Sequence, residues 1–186
     1  MKTRMLVSCW LILAAALAPL GAAEGVSEKV QGKLDRWIAE AKQWAADPII
    51  VKAVAAQNAK LPAAYVAMTQ EKWESLTDLD PLVHELMKNA AGQALKTRKT
   101  HMITEAFVSD ANGLKVAFLG KTSNWSHKGK PKHDVPMTGQ VWQGKFEVDK
   151  SSGMQQIQLA VPILADGKPI GSLVLGISLK DFTADS

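Results

Sequence analysis

The sequence contains 186 residues, of which 47% are hydrophobic and 22% charged, a balance typical of one compact domain with a core and not of a disordered chain. Its formal net charge is +4 at pH 7, but setting aside Lys2 and Arg4 in a hydrophobic leader leaves 20 of the 22 Lys and Arg against 18 Asp and Glu. A nearly neutral domain has no general affinity for nucleic acid, so the charge balance excludes nucleic acid as an expected partner.

Residues 1–23 have the pattern of a cleaved secretory signal peptide. Two basic residues precede an apolar run, and small residues follow up to Ala23. An uncleaved membrane anchor is the alternative, since the run approaches the roughly 20 residues that a bilayer core requires, although Pro19 and Gly21 weaken it. We therefore predict a periplasmic protein in which residues 24–186 form one domain.

The single cysteine, Cys9, lies inside this leader. It precedes most of the apolar residues, whereas a lipid-attachment cysteine follows them, so its position argues against a lipoprotein. The predicted mature domain has no cysteine, which excludes disulfides, thiol catalysis and thiolate metal sites. Its stability must come from its core alone.

The first half of the predicted domain is helical. Ser27 is the expected N-cap of a long helix that runs to about residue 46. Asp-Pro pairs at 47–48 and 80–81 are typical helix starts, and another helix is expected over residues 69–76. The second pair is expected to begin one helix that continues through Ala91. The apolar stripe of the first helix consists of Val30, Leu34, Trp37, Ile38, Ala41, Trp44 and Ala45.

After residue 99 the apolar residues change from a helical to a strand period. Asn-Gly and Asp-Gly turn signals join the first two and the last two of five expected strands. Helices followed by a meander of five antiparallel strands indicate an α+β fold, in which the helices pack on the sheet. The predicted strands are 103–110, 114–120, 145–149, 154–164 and 168–179.

The last two predicted strands alternate so that one face of the sheet is apolar and the other is small and polar. The apolar face carries Ile157 and Leu173 and should receive the first helix. The other face carries Gln156, Gln158 and Ser172 together with glycine, which would leave room there for a ligand.

The segment 121–149 is the strongest candidate for a functional region, because it holds two of the six Trp, two of the four His and several Lys. Its composition predicts an irregular surface loop over the polar sheet face. The alternative is a solvated basic loop that its Trp side chains only fix in place. The predicted ligand-binding residues are Lys121, Trp125, His127, Lys130, His133, Trp142, Asp149, Gln156, Gln158 and Ser172.

The charge of this segment favours a small organic anion, since its lysines and histidines surround a single nearby acid, Asp134. Ionised donors bond strongly to carboxylate and phosphate oxygens, and Trp125 and Trp142 would form the walls of the site. If a histidine acts as the cation, affinity should increase as the pH falls through about 6.5. A competing hypothesis is that the segment docks on an acidic partner surface.

Catalytic and metal-binding motifs have little support. His127 and His133 have a spacing that is not a recurrent metal-ligand pattern, and the sequence has no HExxH motif and no CxxCH motif for haem attachment. Ser126 beside His127 lacks the context of a nucleophile turn. We therefore predict a protein that is not an enzyme and needs no cofactor, with His-dependent metal binding as an alternative.

Three stretches carry a family resemblance: WAADPIIVKAVAAQN, EAFVSDANGLKVAF and IQLAVPILADGKPIGSLVLGISL. They resemble the single Cache (PDC) domains, which are PAS-like periplasmic sensor modules, and the resemblance covers nearly all of the predicted mature chain. It implies a five-stranded PAS-like sheet, a long first helix that often dimerises, and a small ligand bound beneath the loop after the second strand. It also implies signalling on binding of organic acids, amino acids or similar metabolites.

Two features depart from this family. The usual Tyr, Arg and Asp cluster of its amino-acid pockets is not evident, since the only Tyr is Tyr65 in the helical half. The sequence after Leu179 shows no second membrane span and no kinase, cyclase or chemoreceptor region. We therefore expect a separate membrane kinase or chemoreceptor as partner, with a homodimer through the first helix as a further option. A ligand-free periplasmic adaptor is the alternative function.

Overall fold

Helices pack on both faces of a five-stranded antiparallel sheet. The computed structural model describes residues 28–148 and 153–183. The predicted leader, the expected cap Ser27 and the predicted site residue Asp149 lie outside the described residues. Across the described ranges, none of the helices has the length and apolar character of a membrane span.

Six helices come before the first strand in the described part of the chain. The Asp-Pro starts are confirmed, because the side chains of Asp47 and Asp80 accept hydrogen bonds from the backbone N–H groups two residues later. Thr69 caps the helix expected near residue 70. The helices are α1 (Glu28–Ala45), α2 (Pro48–Ala59), α3 (Ala63–Val66), α4 (Gln70–Ser75), α5 (Pro81–Lys88) and α6 (Ala90–Arg98).

The prediction of one continuous helix after Pro81 is wrong, because the chain turns at Asn89. This residue has extended backbone angles, and its side chain accepts a 2.8 Å hydrogen bond from the Gly92 N–H as the N-cap of α6. Its amide also donates to the Val116 carbonyl at 2.8 Å. Asparagine is among the strongest N-cap residues, so a capping signal inside the apolar periodicity divided the helix.

The sheet has the order β2-β1-β5-β4-β3, so the prediction of five antiparallel strands is confirmed but that of a meander is wrong. The last strand lies between the first and the fourth, with Phe107 opposite Val174 in one pairing and Ile157 opposite Ile177 in the other. This strand is buried from Gly171 to Ser178, which requires a neighbour on each side. The strands are β1 (Ile103–Asp110), β2 (Lys115–Phe118), β3 (Trp142–Val148), β4 (Gln155–Ala165) and β5 (Lys168–Ser178).

The predicted packing of α1 on the apolar sheet face is confirmed. Leu34, Ala41 and Trp44 of α1 join Ile157 and Leu173 in one buried cluster. Trp37 and Ile38 lie at the edge of this cluster and are only partly buried. The other sheet face supports a second cluster built from Tyr65, Trp73, Phe107, Phe118, Trp125, Ala160 and Val174.

The prediction of an irregular loop over 121–149 is wrong in two places. The helix α7 (Pro131–Met137) forms within the segment, and Trp142 already belongs to β3. Pro131 stands at the first helical position, where its missing N–H costs nothing, and Pro136 limits the helix to two turns. The chain ends its described part with α8 (Lys180–Thr183).

Candidate ligand site on the polar sheet face

A group of buried and half-buried polar side chains lies between the sheet and α7, and we refer to it as the polar cluster. Helix α7 packs on β3, β4 and β5, and the strands supply the floor of the cluster beneath it. Several members are less than 4% exposed although they carry polar or ionisable groups. The members are Glu105, Ser109, Lys115, His127, Lys132, His133, Gln156, Gln158 and Ser172.

Lys115 is the most unusual member, because its side chain is fully buried. Its Nζ contacts His127 Nδ1, lies 3.4 Å from Ser109 Oγ and lies 4.4 Å from the centre of the Phe107 ring. The Phe107 ring in turn stacks on the His127 imidazole with 4.6 Å between centres. Among the described residues, no carboxylate lies at salt-bridge distance from this amine.

The surroundings of Lys115 disfavour its ammonium form. Burial lowers the pKa of the Lys115 amine well below its usual value, and the positive charge of Lys132 adds to this effect. The carboxylates of Glu105 and Asp110 oppose this shift of the pKa without cancelling it. The cluster therefore holds a buried amine that an entering anion would help to protonate.

Both histidines of the segment are held in the neutral form. Burial lowers the pKa of His127 far below its usual value, and the charges of Lys115 and Lys132 lower it further. Burial also lowers the pKa of His133, although its hydrogen bond to the Ala111 carbonyl acts in the opposite direction. These shifts argue against the histidine cation considered from the sequence, so the histidines do not supply positive charge to the site.

A chain of hydrogen bonds links the strands of the cluster to α7. Gln156 Nε2 donates to Glu105 Oε1 at 3.1 Å, and Gln158 Nε2 donates to the same oxygen. Lys132 Nζ donates to Gln158 Oε1 at 2.8 Å, and Thr104 Oγ1 donates to Gln156 Oε1. Gln158 therefore connects a carboxylate on β1 with an ammonium group on α7.

Helix α7 covers the polar cluster through two side chains. His133 Nδ1 lies 2.8 Å from Ser172 Oγ, and Lys132 makes the bond to Gln158 already described. The start of the helix is fixed by Asp134, whose Oδ1 accepts a 3.0 Å hydrogen bond from the Gly129 N–H.

The aromatic walls predicted from the sequence belong to a neighbouring cluster instead. Trp125 is 4% exposed and packs against Trp73 and Tyr65, with ring centres 5.1 and 5.2 Å apart. Lys121 Nζ lies 5.0 Å from the centre of the Trp73 ring. Trp142 stands opposite Ala160 at the start of β3, where it packs on the same aromatic cluster.

The structure gathers only part of the predicted site. Lys130 is the N-cap residue of α7 and contributes its charge to the surroundings of His127 without a side-chain capping bond. Lys121, Trp125 and Trp142 lie on the aromatic cluster, and Asp149 is outside the described residues. The predicted residues that meet in the polar cluster are His127, His133, Gln156, Gln158 and Ser172.

Lys115, Glu105 and Lys132 were not predicted as site residues from the sequence. A signal for the first two existed, because each is a charged residue in a predicted strand that also carries apolar residues. The room expected over the glycine of β5 is also filled, since a Cβ on Gly176 would overlap Gln156, Thr104 and Glu105. Glycine is therefore needed there to admit the polar cluster itself.

The described residues do not provide a set of side chains that could bind a metal ion. Within residues 28–148 and 153–183, no group of three or more His, Cys, Asp and Glu side chains could hold a metal ion. His127 and His133 direct their Nδ1 atoms to Lys115 and Ser172 respectively.

No protein-family model matches the sequence, and no curated protein matches it either. The chain aligns with the ligand-binding domain of the Campylobacter jejuni chemoreceptor Tlp3 in complex with 4-methylisoleucine, at 17% identity and a TM-score of 0.46, over 82% of this chain and 55% of that one. It also aligns with the E. coli DcuS sensor domain, at 14% identity and a TM-score of 0.47, over 84% of this chain and 96% of that one.

A third solved structure, the sensor domain of the V. cholerae histidine kinase DctB, aligns at 14% identity and a TM-score of 0.39, over 82% of this chain and 58% of that one. This chain thus spans little more than half of the Tlp3 and DctB domains. The three structures are sensor or ligand-binding domains, which is the class that the sequence resembles.

Proposed function

We propose that the protein is an extracytoplasmic sensor module that binds a small organic anion at the polar cluster and signals through a separate membrane protein. The observation that supports this function is the full burial of Lys115 without a carboxylate at salt-bridge distance among the described residues. Burying an amine is costly unless a partner stabilises its charged form. A carboxylate or phosphate would be such a partner.

A second amine favours the same ligand. Lys115 Nζ and Lys132 Nζ lie 4.4 and 5.8 Å from the centre of one Phe107 ring, so the two groups converge on one region. Their charges repel each other, which contributes to the lowered pKa of Lys115. An anion between them would replace this repulsion by two charge-assisted hydrogen bonds.

Access to the site requires movement of α7. Lys115, His127, Gln156 and Ser172 are each at most 2% exposed, so a ligand cannot reach them while the helix remains in place. An anion that recruits Lys132 would also compete for its bond to Gln158. Binding would then displace α7, and this displacement is the conformational signal that the proposal requires.

A thermal-shift screen of carboxylates, phosphates, amino acids and divalent metals tests the proposal. The proteins to compare are the wild type, Lys115→Met and Lys128→Met, because Lys128 is an exposed lysine of the same segment. We expect an organic anion at about 100 times its Kd to stabilise the wild type and Lys128→Met by about 2.7 kcal/mol, and not to stabilise Lys115→Met. Equal stabilisation of all three proteins, or stabilisation by metals alone, would contradict the proposal.

A ligand-free adaptor is the second candidate, and the closed state of the polar cluster favours it. No buried polar side-chain atom of the described residues lacks a hydrogen-bond partner, so the cluster is satisfied without a ligand. In that case, no compound of the screen stabilises the wild type. Binding to an acidic partner surface would then weaken with salt, and small acids would not compete.

A further inference from the structure

A second cleft lies on the opposite side of the sheet from the polar cluster. It is formed by α1, the end of α6, the residues that lead into β1, and α8, and its volume is about 420 Å³. This volume is within the range of roughly 300 to 1,000 Å³ that is usual for small-molecule sites. The cleft shares no lining residue with the polar cluster, so it is independent of the function proposed above.

Aromatic and thioether side chains form the walls of this cleft. Trp44 is 1% exposed and Phe182 is 5% exposed, whereas Trp37 and Met102 are partly buried at the surface of the cleft. Trp44 Nε1 donates a 2.8 Å hydrogen bond to Glu40 Oε1. This bond orients the indole ring and gives the Glu40 carboxylate a partner inside the cleft. The walls are therefore largely apolar.

The rim of the cleft is basic. Lys33, Arg36 and Arg98 line it, whereas Glu40 is the acidic residue of the same lining. Arg98 Nη1 lies 2.6 Å from Asp47 Oδ2. Burial favours the neutral form of Asp47, but the Ile49 N–H and Arg98 outweigh it and lower the pKa of this carboxyl group. Asp47 is thus ionised and engaged by Arg98, while Arg36 stands exposed at the rim.

We propose that this cleft binds a small amphipathic carboxylate, with its apolar body against Trp37 and Phe182 and its carboxylate at Arg36. The aromatic walls suit the apolar body of such a ligand, and the cationic rim suits its carboxylate. Guanidinium groups bind carboxylates through two parallel hydrogen bonds in one plane. A cation would be repelled by the rim. An uncharged molecule of the same shape would lose the bond to Arg36.

Isothermal titration with 3-phenylpropionate and its uncharged amide tests this proposal, with tryptophan fluorescence as a second readout. We expect the acid to bind, the amide to bind about tenfold more weakly, and Arg36→Gln to weaken the acid by a similar factor. Lys42→Gln is the matched control, because Lys42 is an exposed cation of α1 outside the cleft. This control and Lys115→Met should bind the acid as the wild type does.

Four results would overturn the proposal. The acid and the amide could bind equally, Arg36→Gln could bind the acid unchanged, or Lys115→Met could lose the acid, which would place the probe in the polar cluster. A dimer that forms through α1 and excludes the probe would also overturn it, and light scattering with and without the probe detects this case.

Discussion

The full burial of the Lys115 amine is the least usual feature of the polar cluster. Its amine is enclosed by a phenyl ring, an imidazole and a hydroxyl group, and none of these groups carries a negative charge. A methionine would fill the same volume without desolvating an ionisable group. Residues that oppose stability in this way are concentrated at functional sites, because selection for function maintains them.

Replacing Lys115 by methionine is expected to stabilise the protein. The change removes a buried ionisable group and retains most of the packing, so the free energy of unfolding should rise by about 1 kcal/mol at neutral pH. Urea denaturation measures this difference, and Lys128→Met should change it by less than about 0.5 kcal/mol. A clear destabilisation by Lys115→Met would show that the amine supports the fold.

The buried histidines predict a loss of stability in acid. The pKa of His127 in the folded protein is lowered from about 6.5, so the unfolded chain takes up a proton first as the pH falls. Its contribution to stability is complete above pH 6.5 and declines below it, by at most about 1.4 kcal/mol per pH unit. Measuring the free energy of unfolding between pH 7.5 and pH 5, at intervals of about one pH unit, tests this dependence.

Two variants separate His127 from the other titrating groups. His127→Gln should reduce the pH dependence of stability, since glutamine takes up no proton. His84→Gln removes an exposed histidine of α5 and should leave the dependence close to that of the wild type. If His127→Gln and the wild type lose stability in parallel, the ring of His127 is not the source of the effect.

At the scale of elements, the sequence predicted local structure better than neighbours in space. Asp47 and Asp80 predicted the helix starts correctly, because capping is a local interaction. The alternation of apolar and polar residues in β4 and β5 predicted both sheet faces. The position of β5 between β1 and β4 was not predictable from alternation, which does not specify the partner of a strand. Helix α7 was missed because its two prolines were taken as evidence against a helix.

The candidate site was predicted incompletely for a related reason. His133, Gln158 and Ser172 were identified because they lie in the basic segment or on the polar face of the last two strands. Glu105 lies on β1 and Lys115 on β2, and they join the cluster only through the pairing of β1 with β5. Trp125 was assigned to the site by its position in the sequence, but its ring packs on Trp73.

The different burial of the two tryptophans of α1 gives a prediction for this element. Trp44→Ala should lower the free energy of unfolding by about 3 to 5 kcal/mol, because its side chain is buried and packs in the core. Trp37→Ala should cost less, about 1 to 2 kcal/mol, since its ring is only partly buried. Guanidinium denaturation compares the two. If Trp37→Ala melts normally but abolishes self-association, Trp37 belongs to a dimer surface.

At the scale of the whole molecule, the described domain separates two regions on opposite faces of one sheet. The polar cluster lies under α7, and the cleft with the basic rim lies beside α1. Both faces use β1 and β5, which pair with each other at the centre of the sheet. Any communication between the two regions must therefore pass through these two strands or the layers packed on them.

Export of the whole chain is a separate prediction. We expect cleavage after Ala23 and a mature N-terminus at Glu24, because residues 1–23 have the basic, apolar and small-residue regions of a signal peptide. Intact-mass spectrometry of the protein from the soluble periplasmic fraction shows whether the leader has been removed. Recovery of the chain with Met1 in the membrane fraction would identify a signal anchor instead.

The position of β3 at the border of the sheet affects how the protein behaves at high concentration. Such a strand offers unpaired backbone groups to a strand of another molecule, and here it also exposes Phe146 and Val148. The register of β3 shifts between Gln143 and Phe146, and the exposed charges of Lys145 and Glu147 flank the phenylalanine. Irregular pairing and charge both oppose the addition of another strand, so they protect this domain from edge-to-edge aggregation.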